Sequence, residues 1–182
     1  MSGLSLDRTR FRARCSVAPE KLSGSESVNL TIRIACETDV ASLMSLYKLL
    51  EVVTEPAVPL ECALARFCDL ESNPHHRLYV AELGATIVGT FSMIFIPGLS
   101  HSARDSCVIE DVVVEYERQG AGIGKQMMRF AMAACVARHC YKLVLSSHVQ
   151  RERAHRFYES LGFSKHGYSY LLDLSGGAAS AA

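Results

Sequence analysis

The chain of 182 residues lacks tryptophan, an excess of charge of one sign, and any long apolar run. Lys plus Arg and Asp plus Glu both number 19, so the formal net charge is zero. This balance argues against a protein that wraps nucleic acid or coats an anionic membrane. A membrane-spanning helix needs about 20 consecutive apolar residues. We therefore expect a soluble protein with neither a nucleic-acid nor a membrane partner.

The seven cysteines form no C-x-x-C pair. An odd, scattered set indicates reduced thiols in a reducing compartment, so a cytoplasmic location is expected. The alternative to free thiols is a zinc site formed by Cys62 and Cys68 with His75 or His76. Because structural zinc sites use more closely spaced ligand pairs, the sequence predicts no metal site.

The two ends of the chain differ in composition from its middle. Residues 1–28 have no apolar periodicity and no apolar core of a secretory signal, so they predict a flexible extension. Residues 175–182 consist only of Ser, Gly and Ala and predict a flexible tail. Residues 29–174 are long enough for one folded domain, and 49% of the whole chain is hydrophobic.

Strand-like and helix-like periodicities alternate within this domain. The order predicts an α/β (α+β) fold in which a mixed sheet of six to seven strands is flanked by about four helices. The predicted strands are 30–34, 78–81, 86–95, 107–114 and 142–145, with a strand pair in 163–172. The predicted helices are 38–50, 60–70, 122–139 and 151–161.

A glycine-rich turn joins the predicted central strand to the longest helix. Glycine permits a positive φ and a close approach to the backbone. The free N–H groups and the dipole of a helix start bind phosphate oxygens. Tight packing of the glycines is the alternative. The turn predicts a diphosphate site formed by Gln119, Gly120, Ala121, Gly122, Ile123, Gly124 and Lys125.

Spacing separates this turn from two common phosphate-binding loops. A Walker loop requires Ser or Thr after Gly-Lys, but Gln126 follows Gly124-Lys125. The third glycine of the dinucleotide-binding fingerprint is replaced by Lys125. Gln119, Gly122 and Gly124 instead fit [QR]-x-x-G-x-[GA], which resembles the acetyl-CoA site of the GNAT superfamily of N-acetyltransferases. Residues 153–163 (RAHRFYESLGF) resemble that superfamily's second signature, A-x-x-F-Y-x-x-x-G-F.

The resemblance, with which the element order agrees, implies a mostly antiparallel sheet with a V-shaped split. The split lies between the central strand and strand 142–145, and the pantetheine arm of acetyl-CoA lies in it. The residues implied to contact that arm, the acetyl carbonyl and its oxyanion are Val112, Val113 and Val114. The implied reaction is acetyl transfer to the primary amine of a small molecule by direct attack, through a tetrahedral intermediate.

The same resemblance assigns to Tyr158 the protonation of the departing thiolate. A primary amine with a pKa near 10 is mostly protonated at neutral pH, so a base is also needed. Glu110 and Asp111 are charged residues within an apolar strand and are candidates for the base or for an amine-binding group. Regular alternation would let only one of them face the cleft. Salt bridges to Arg104 or Lys142 are the structural alternative.

Segments of the sequence resemble two subfamilies of this superfamily. Residues 109–114 and 140–145 are similar to glucosamine-6-phosphate N-acetyltransferases, and residues 151–158 to aminoalkylphosphonate N-acetyltransferases. Both acceptors carry an anionic phosphorus group, for which Arg104, Arg151 and Arg153 are candidate partners. Arg151 replaces an Asn found in many members. A protein lysine or N-terminal acetyltransferase and a non-catalytic acyl-CoA sensor stay open as alternatives, as does a homodimer through the C-terminal strands.

Overall fold

The computed structural model describes residues 30–50 and 58–172. The extension predicted for 1–28 and the tail predicted for 175–182 lie outside these ranges. The strands are β1 (Leu30–Ile34), β2 (His76–Leu83), β3 (Thr86–Ile96), β4 (Ser106–Val114) and β5 (Lys142–Leu145). The helices are α1 (Val40–Tyr47), α2 (Leu60–Ser72), the four-residue α3 (Ser100–Ala103), α4 (Ile123–Ala137) and α5 (Glu152–Ser160), with 3-10 turns at Glu37–Asp39 and Tyr116–Arg118.

The sheet has the order β1-β2-β3-β4-β5. The first four strands are antiparallel, and β5 runs parallel to β4. The long α4 supplies the crossover that a parallel pair requires. The predicted mixed, mostly antiparallel sheet with flanking helices is therefore confirmed.

The number of strands is lower than predicted. The part of the chain that the structure describes has five strands, and residues 163–172 follow α5 without forming the predicted pair. Tyr168, Tyr170 and Leu171 are each about 90% exposed. The alternation of Tyr168 and Tyr170 with Ser169 is typical of a strand, but a strand must also pair with another strand, and this segment pairs with none of the described strands.

Apolar cores cover both faces of the sheet. On one face, which we call the α4 face, β-strand side chains such as Phe91 and Ile109 pack against the stripe Ile123, Met127 and Ala131 of α4, with α5 beside it. On the opposite face, the α1/α2 face, Leu43 of α1 and Phe67 of α2 pack on Val80. Buried positions of α4 recur at helical spacing, which explains why this segment forms a helix across the sheet.

Paired charges fix the junction of β1 and α1, which we call the β1–α1 corner. Arg33 forms ion pairs of 2.6 Å with both Asp39 and Glu82. The Asp39 carboxylate also accepts a hydrogen bond of 2.8 Å from the Cys36 N–H. The corner thereby ties the start of α1 to strands β1 and β2.

Two further findings bear on the sequence-based expectations. None of the helices that the structure describes is long and apolar enough to cross a membrane. The six cysteines within the described ranges carry free thiols.

Candidate active site

The sheet splits between β4 and β5. The parallel pairing runs from Ser106↔Lys142 to Ile109↔Leu145, where β5 ends. Strand β4 continues to Val114, and no described strand pairs with that edge beyond Ile109. The predicted V-shaped opening is therefore present. It leaves the main-chain groups of residues 110–114 available to an extended ligand.

A β-bulge interrupts β4 inside this opening. Ser92 pairs with Glu110 and Thr90 with Val113, so Asp111 and Val112 together lie opposite the single residue Phe91. Asp111 has a φ of 53°, which is uncommon for a residue other than glycine. A bulge turns backbone and side-chain groups out of the regular ladder. The Val112 or Val113 N–H could serve as an oxyanion donor only if the strand bulged here, and that condition is met.

The turn before α4 presents free N–H groups. Gly122 caps the helix with a φ of 82°, and a Cβ there would meet no atom within 4 Å, so conformation rather than space demands glycine. The first helical bond joins the Gln126 N–H to the Gly122 carbonyl at 3.1 Å. The N–H groups of Ile123, Gly124 and Lys125 therefore have no partner within the helix. An anion at this end would also meet the positive end of the helix dipole.

Side chains hold this turn in place. The Gln119 amide donates to the Val114 carbonyl at 3.2 Å and closes the turn against the end of β4. Ile123 is buried in the core, so only its backbone can face a ligand, whereas Ala121 and Lys125 are exposed. Contacts to a ligand here would come chiefly from the backbone.

Gly124 links the two sequence motifs in space. A Cβ on this residue would lie 3.3 Å from Phe157 Cζ and 3.7 Å from Val114 Cγ2. The absence of a side chain lets α4, α5 and β4 meet closely at the head of the opening. Tight packing therefore accounts for Gly124, whereas the backbone conformation accounts for Gly122.

Tyr158 lies on α5, next to the same junction. Its ring makes edge contacts with Phe157 at 5.1 Å and Phe163 at 5.8 Å between centroids. It packs on the α4-face core, which also contains Val112 and Val114. Burial raises the pKa of the Tyr158 phenol, and the nearby Arg151 opposes that rise. The phenol therefore keeps its proton at neutral pH and is available as a donor.

Glu110 and Asp111 lie on the α1/α2 face. Cys107 and Ile109 belong to the α4-face core, so alternation turns Glu110 to the other face. Asp111 interacts electrostatically with His76 of β2 and Tyr47 at the end of α1. The positive φ at Asp111 breaks the alternation that would otherwise separate the two carboxylates. The acidic pair and Tyr158 thus approach the opening from opposite faces of the sheet.

Both carboxylates have raised pKa values. Burial is the main cause for each, the Asp111 charge raises the pKa of Glu110 further, and His76 lowers that of Asp111. Neither side chain forms an ion pair within residues 30–50 and 58–172. Arg104 instead donates to the His101 carbonyl, and Lys142 lies over the Tyr141 ring. The salt-bridge alternative therefore fails, which leaves two carboxylates able to bind a cation or accept a proton.

Sequence reasoning missed His76 and Tyr47. The sequence predicts that the second strand begins at residue 78, which leaves His76 in the preceding loop. In the structure β2 begins at His76, so this residue belongs to the sheet. Tyr47 looked like one more apolar residue of a helix face, yet burial and the Asp111 charge raise its pKa to about 12. No local signal in the sequence marks either residue, because both acquire their neighbours through tertiary packing.

Other candidate residues are not brought together. Cys62 and Cys68 are exposed on α2, and the described residues contain no group of three or more His, Cys, Asp or Glu side chains arranged for a metal ion. Residues 51–57, between α1 and α2, lie outside the described ranges. Arg151 lies beside Tyr158, whereas Arg104 and Arg153 are exposed.

Known proteins support this reading of the geometry. The Acetyltransferase (GNAT) family matches residues 42–163. A glucosamine 6-phosphate N-acetyltransferase of Trypanosoma brucei brucei is 33% identical over 150 residues, which cover 81% of this chain and 97% of that protein.

Solved structures agree. A putative acetyltransferase from Agrobacterium tumefaciens superposes with a TM-score of 0.74 at 29% identity, over 79% of this chain and 99% of that one. Glucosamine-6-phosphate N-acetyltransferase from Arabidopsis thaliana superposes with a TM-score of 0.71 at 26% identity, over 80% and 99% of the two chains. The split sheet, the glycine turn and these relatives lead to one conclusion: the chain is an acetyltransferase and belongs to the GNAT family.

Proposed function

We propose that this enzyme transfers the acetyl group of acetyl-CoA to the primary amine of glucosamine 6-phosphate. The observation that carries the proposal is the unpaired edge of β4, which leads directly into a helix start with free N–H groups. The extended thioester arm of the cofactor fits the unpaired edge of β4, and its diphosphate fits the helix start. The relative from Trypanosoma brucei brucei, named for this acceptor, supports the choice of amine.

In this proposal the cofactor binds mainly to main-chain groups. The pantetheine arm lies along residues 110–114 like an added strand, against the side chains of Val112 and Val114. The diphosphate lies at the turn from Gln119 to Lys125, where the free N–H groups of the helix start point outward. The exposed Lys125 adds positive charge at the rim.

The acceptor enters from the α1/α2 face. Glu110 and Asp111 bind its ammonium group and remove one proton, since only the free amine can attack. The nitrogen then attacks the thioester carbonyl, and the Val112 or Val113 N–H stabilises the oxyanion of the tetrahedral intermediate. The C–S bond breaks, and Tyr158 gives its proton to the CoA thiolate from the α4 face. The nitrogen then loses its second proton to form the amide, and that proton, carried through solvent, restores the Tyr158 phenol. The split in the sheet is where the two substrates meet.

Two parts of the proposal concern partners. The phosphate of the acceptor binds an arginine side chain, for which Arg104, Arg151 and Arg153 are the candidates. The exposed Tyr168, Tyr170 and Leu171 support a homodimer in which the segment after α5 packs on a second copy. A monomer in sedimentation velocity at micromolar concentration would contradict the dimer. A cytoplasmic location stays a prediction.

The test is an acetylation assay with the purified full chain. Acetyl-CoA is offered with glucosamine 6-phosphate, glucosamine, an aminoalkylphosphonate or a lysine peptide, and free thiol is recorded. We expect the highest kcat/KM with glucosamine 6-phosphate. A preference for the peptide would favour a protein acetyltransferase, and cofactor binding without turnover on any amine would favour an acyl-CoA sensor.

A matched pair of glycine variants tests the diphosphate site. Gly122→Val should abolish acetyl-CoA binding in calorimetry, because a β-branched residue cannot readily keep a positive φ and the free N–H groups would be displaced. Gly84→Val is the control, since Gly84 also has a positive φ and open space around it but lies in the β2–β3 turn. Wild-type affinity in Gly122→Val would remove the assignment of this turn.

A further inference from the structure

Ser92 is a buried polar residue whose hydroxyl group has no partner. It lies in the middle of β3 and is 3% exposed. Its hydroxyl forms no hydrogen bond with any residue in the ranges 30–50 and 58–172. Buried polar groups of folded proteins are nearly always hydrogen-bonded, so this serine calls for an explanation. An alanine would fill the same place without an unpaired polar group, and packing alone therefore does not account for Ser92.

Thr90, two residues earlier on the same strand, has the usual arrangement. It is fully buried, and its hydroxyl donates to the Tyr79 carbonyl at 2.8 Å. Phe91 belongs to the α4-face core, so alternation places Thr90 and Ser92 together on the α1/α2 face. The two hydroxyl groups share a strand and a face, but the fold uses only that of Thr90.

The strand register places Ser92 beside Glu110. Ser92 pairs with Glu110 of β4 on one side and with Leu78 of β2 on the other. Side chains directly opposite each other on antiparallel strands have Cβ atoms about 4.5–5.5 Å apart. Leu78 packs against the apolar core of this face, whereas Glu110 is exposed. A ligand therefore approaches the Ser92 hydroxyl from the Glu110 side, which is the side of the opening.

The Ser92 hydroxyl is not closed to solvent. Within the part of the chain that the structure describes, His76 Nε2 is the one side-chain nitrogen or oxygen of a non-exposed residue that is both shielded from solvent and without a hydrogen bond. The Ser92 oxygen lacks a hydrogen bond, so it must keep some accessible area. A hydroxyl group both donates and accepts, and here no bond within the protein has to break before a ligand binds.

We propose that Ser92 is an acceptor-binding residue that recognises a hydroxyl group on the carbon next to the aminated carbon. This role rests on the proposed function, in which Glu110 binds the ammonium group. Because Ser92 is the direct cross-strand neighbour of Glu110, the group that it binds must lie close to the acceptor nitrogen. The substrate class is the vicinal amino alcohols, to which 2-amino sugars such as glucosamine 6-phosphate belong.

A cycle that removes the hydroxyl group from the enzyme and from the acceptor tests this role. Wild type and Ser92→Ala are compared with glucosamine 6-phosphate and with its 1-deoxy and 3-deoxy analogues, which each lack one hydroxyl next to the aminated carbon. With glucosamine 6-phosphate, Ser92→Ala should raise the KM about five- to tenfold, as expected for one neutral hydrogen bond. With one of the two analogues, wild type and variant should have equal KM values.

Thr90→Val is the matched control, because it removes the paired hydroxyl group of the same strand and face. It should lower the free energy of unfolding in urea, whereas Ser92→Ala should not, since the hydroxyl of Ser92 has no partner to lose. The control should still discriminate between glucosamine 6-phosphate and the deoxy analogues as the wild type does. Ser92→Cys keeps the size of the side chain but is a weaker donor, and it serves if Ser92→Ala unfolds.

Two results would overturn the inference. One is unchanged kinetics in Ser92→Ala. The other is an equal loss with glucosamine 6-phosphate and with both analogues, which would mean that Ser92 contacts the nitrogen itself. Turnover by the wild type would leave the proposed function intact in both cases. Absence of turnover on every amine would contradict the proposed function, and calorimetric binding of the same acceptors in the presence of CoA would then decide the role of Ser92.

Discussion

The β1–α1 corner and the β4 opening both contain carboxylates, but Asp39 at the corner is buried, whereas Glu110 and Asp111 in the opening are exposed. At the corner, Arg33 and the Cys36 N–H bind Asp39, and the hydrogen bond from Arg33 is the main cause that lowers the pKa of Asp39. In the opening, Glu110 and Asp111 have no cationic side chain in ion-pair contact within the described chain, and burial raises their pKa values.

Under the proposed function, this difference separates a structural acid from a catalytic one. A carboxylate whose hydrogen bonds are satisfied is held as an anion and stabilises the fold. A carboxylate that is desolvated without a partner destabilises the fold slightly but keeps its affinity for a cation or a proton. The contrast leads to three predictions, ordered by the size of the expected effect.

The largest effect should come from neutralising the opening. Asp111→Asn should lower kcat by about 10²-fold or more, as expected for loss of a general base, and Glu110→Gln should raise the KM for the amine. In both variants the free energy of unfolding should be no lower than in the wild type, because each replaces an exposed carboxylate that has no ion-pair partner among the described residues. Steady-state kinetics and urea unfolding measure the two quantities. If these two variants lost much stability but kept full activity, Glu110 and Asp111 would be structural rather than catalytic acids.

Neutralising the corner should have the opposite pattern. Asp39→Asn should lower the free energy of unfolding by about 1–3 kcal/mol, since it removes charge-assisted bonds from a nearly buried side chain. The loss of stability should lie near the lower end of this range, because the Arg33 side chain is 35% exposed and keeps Glu82 as a partner. The kcat should change less than twofold, roughly the limit for a residue remote from the site. Urea unfolding checks the first value and the acetylation assay the second.

The smallest effect is the pH dependence of stability. The folded-state pKa of Asp39 lies below its unfolded value, so its stabilisation is present above about pH 4 and is lost as the pH falls through the folded value. Glu110 and Asp111 have raised folded-state values, so their penalty is present at neutral pH and is relieved as the pH falls through those values.

Urea unfolding between pH 3 and pH 7 measures how the free energy of unfolding changes with pH. Asp39→Asn should flatten the fall in stability below about pH 4. Asp111→Asn should gain stability over wild type as the pH rises toward 7. If both variants changed the profile in the same direction, the distinction between the two carboxylate sites would fail.

Local patterns in the sequence were sufficient for most of the fold. The predicted strand 142–145 agrees with β5 residue for residue, and the predicted helix 122–139 contains all of α4. Alternation and helical spacing are properties of consecutive residues, so they can be read without knowing any partner. The strand pair expected in 163–172 failed for the complementary reason, because its formation depends on a neighbouring edge that the pattern cannot supply.

For the site, the sequence by itself determined which backbone could bind an anion. Gly122 takes its positive φ and caps α4 because of its own chemistry and that of the helix that follows it. Only the tertiary structure decided what surrounds the acidic pair. The bulge at Asp111 arises from the pairing of β4 with β3, and it is this pairing that turns a carboxylate toward His76 and Tyr47. Contacts between residues distant in sequence depend on register and burial, which only the folded sheet sets.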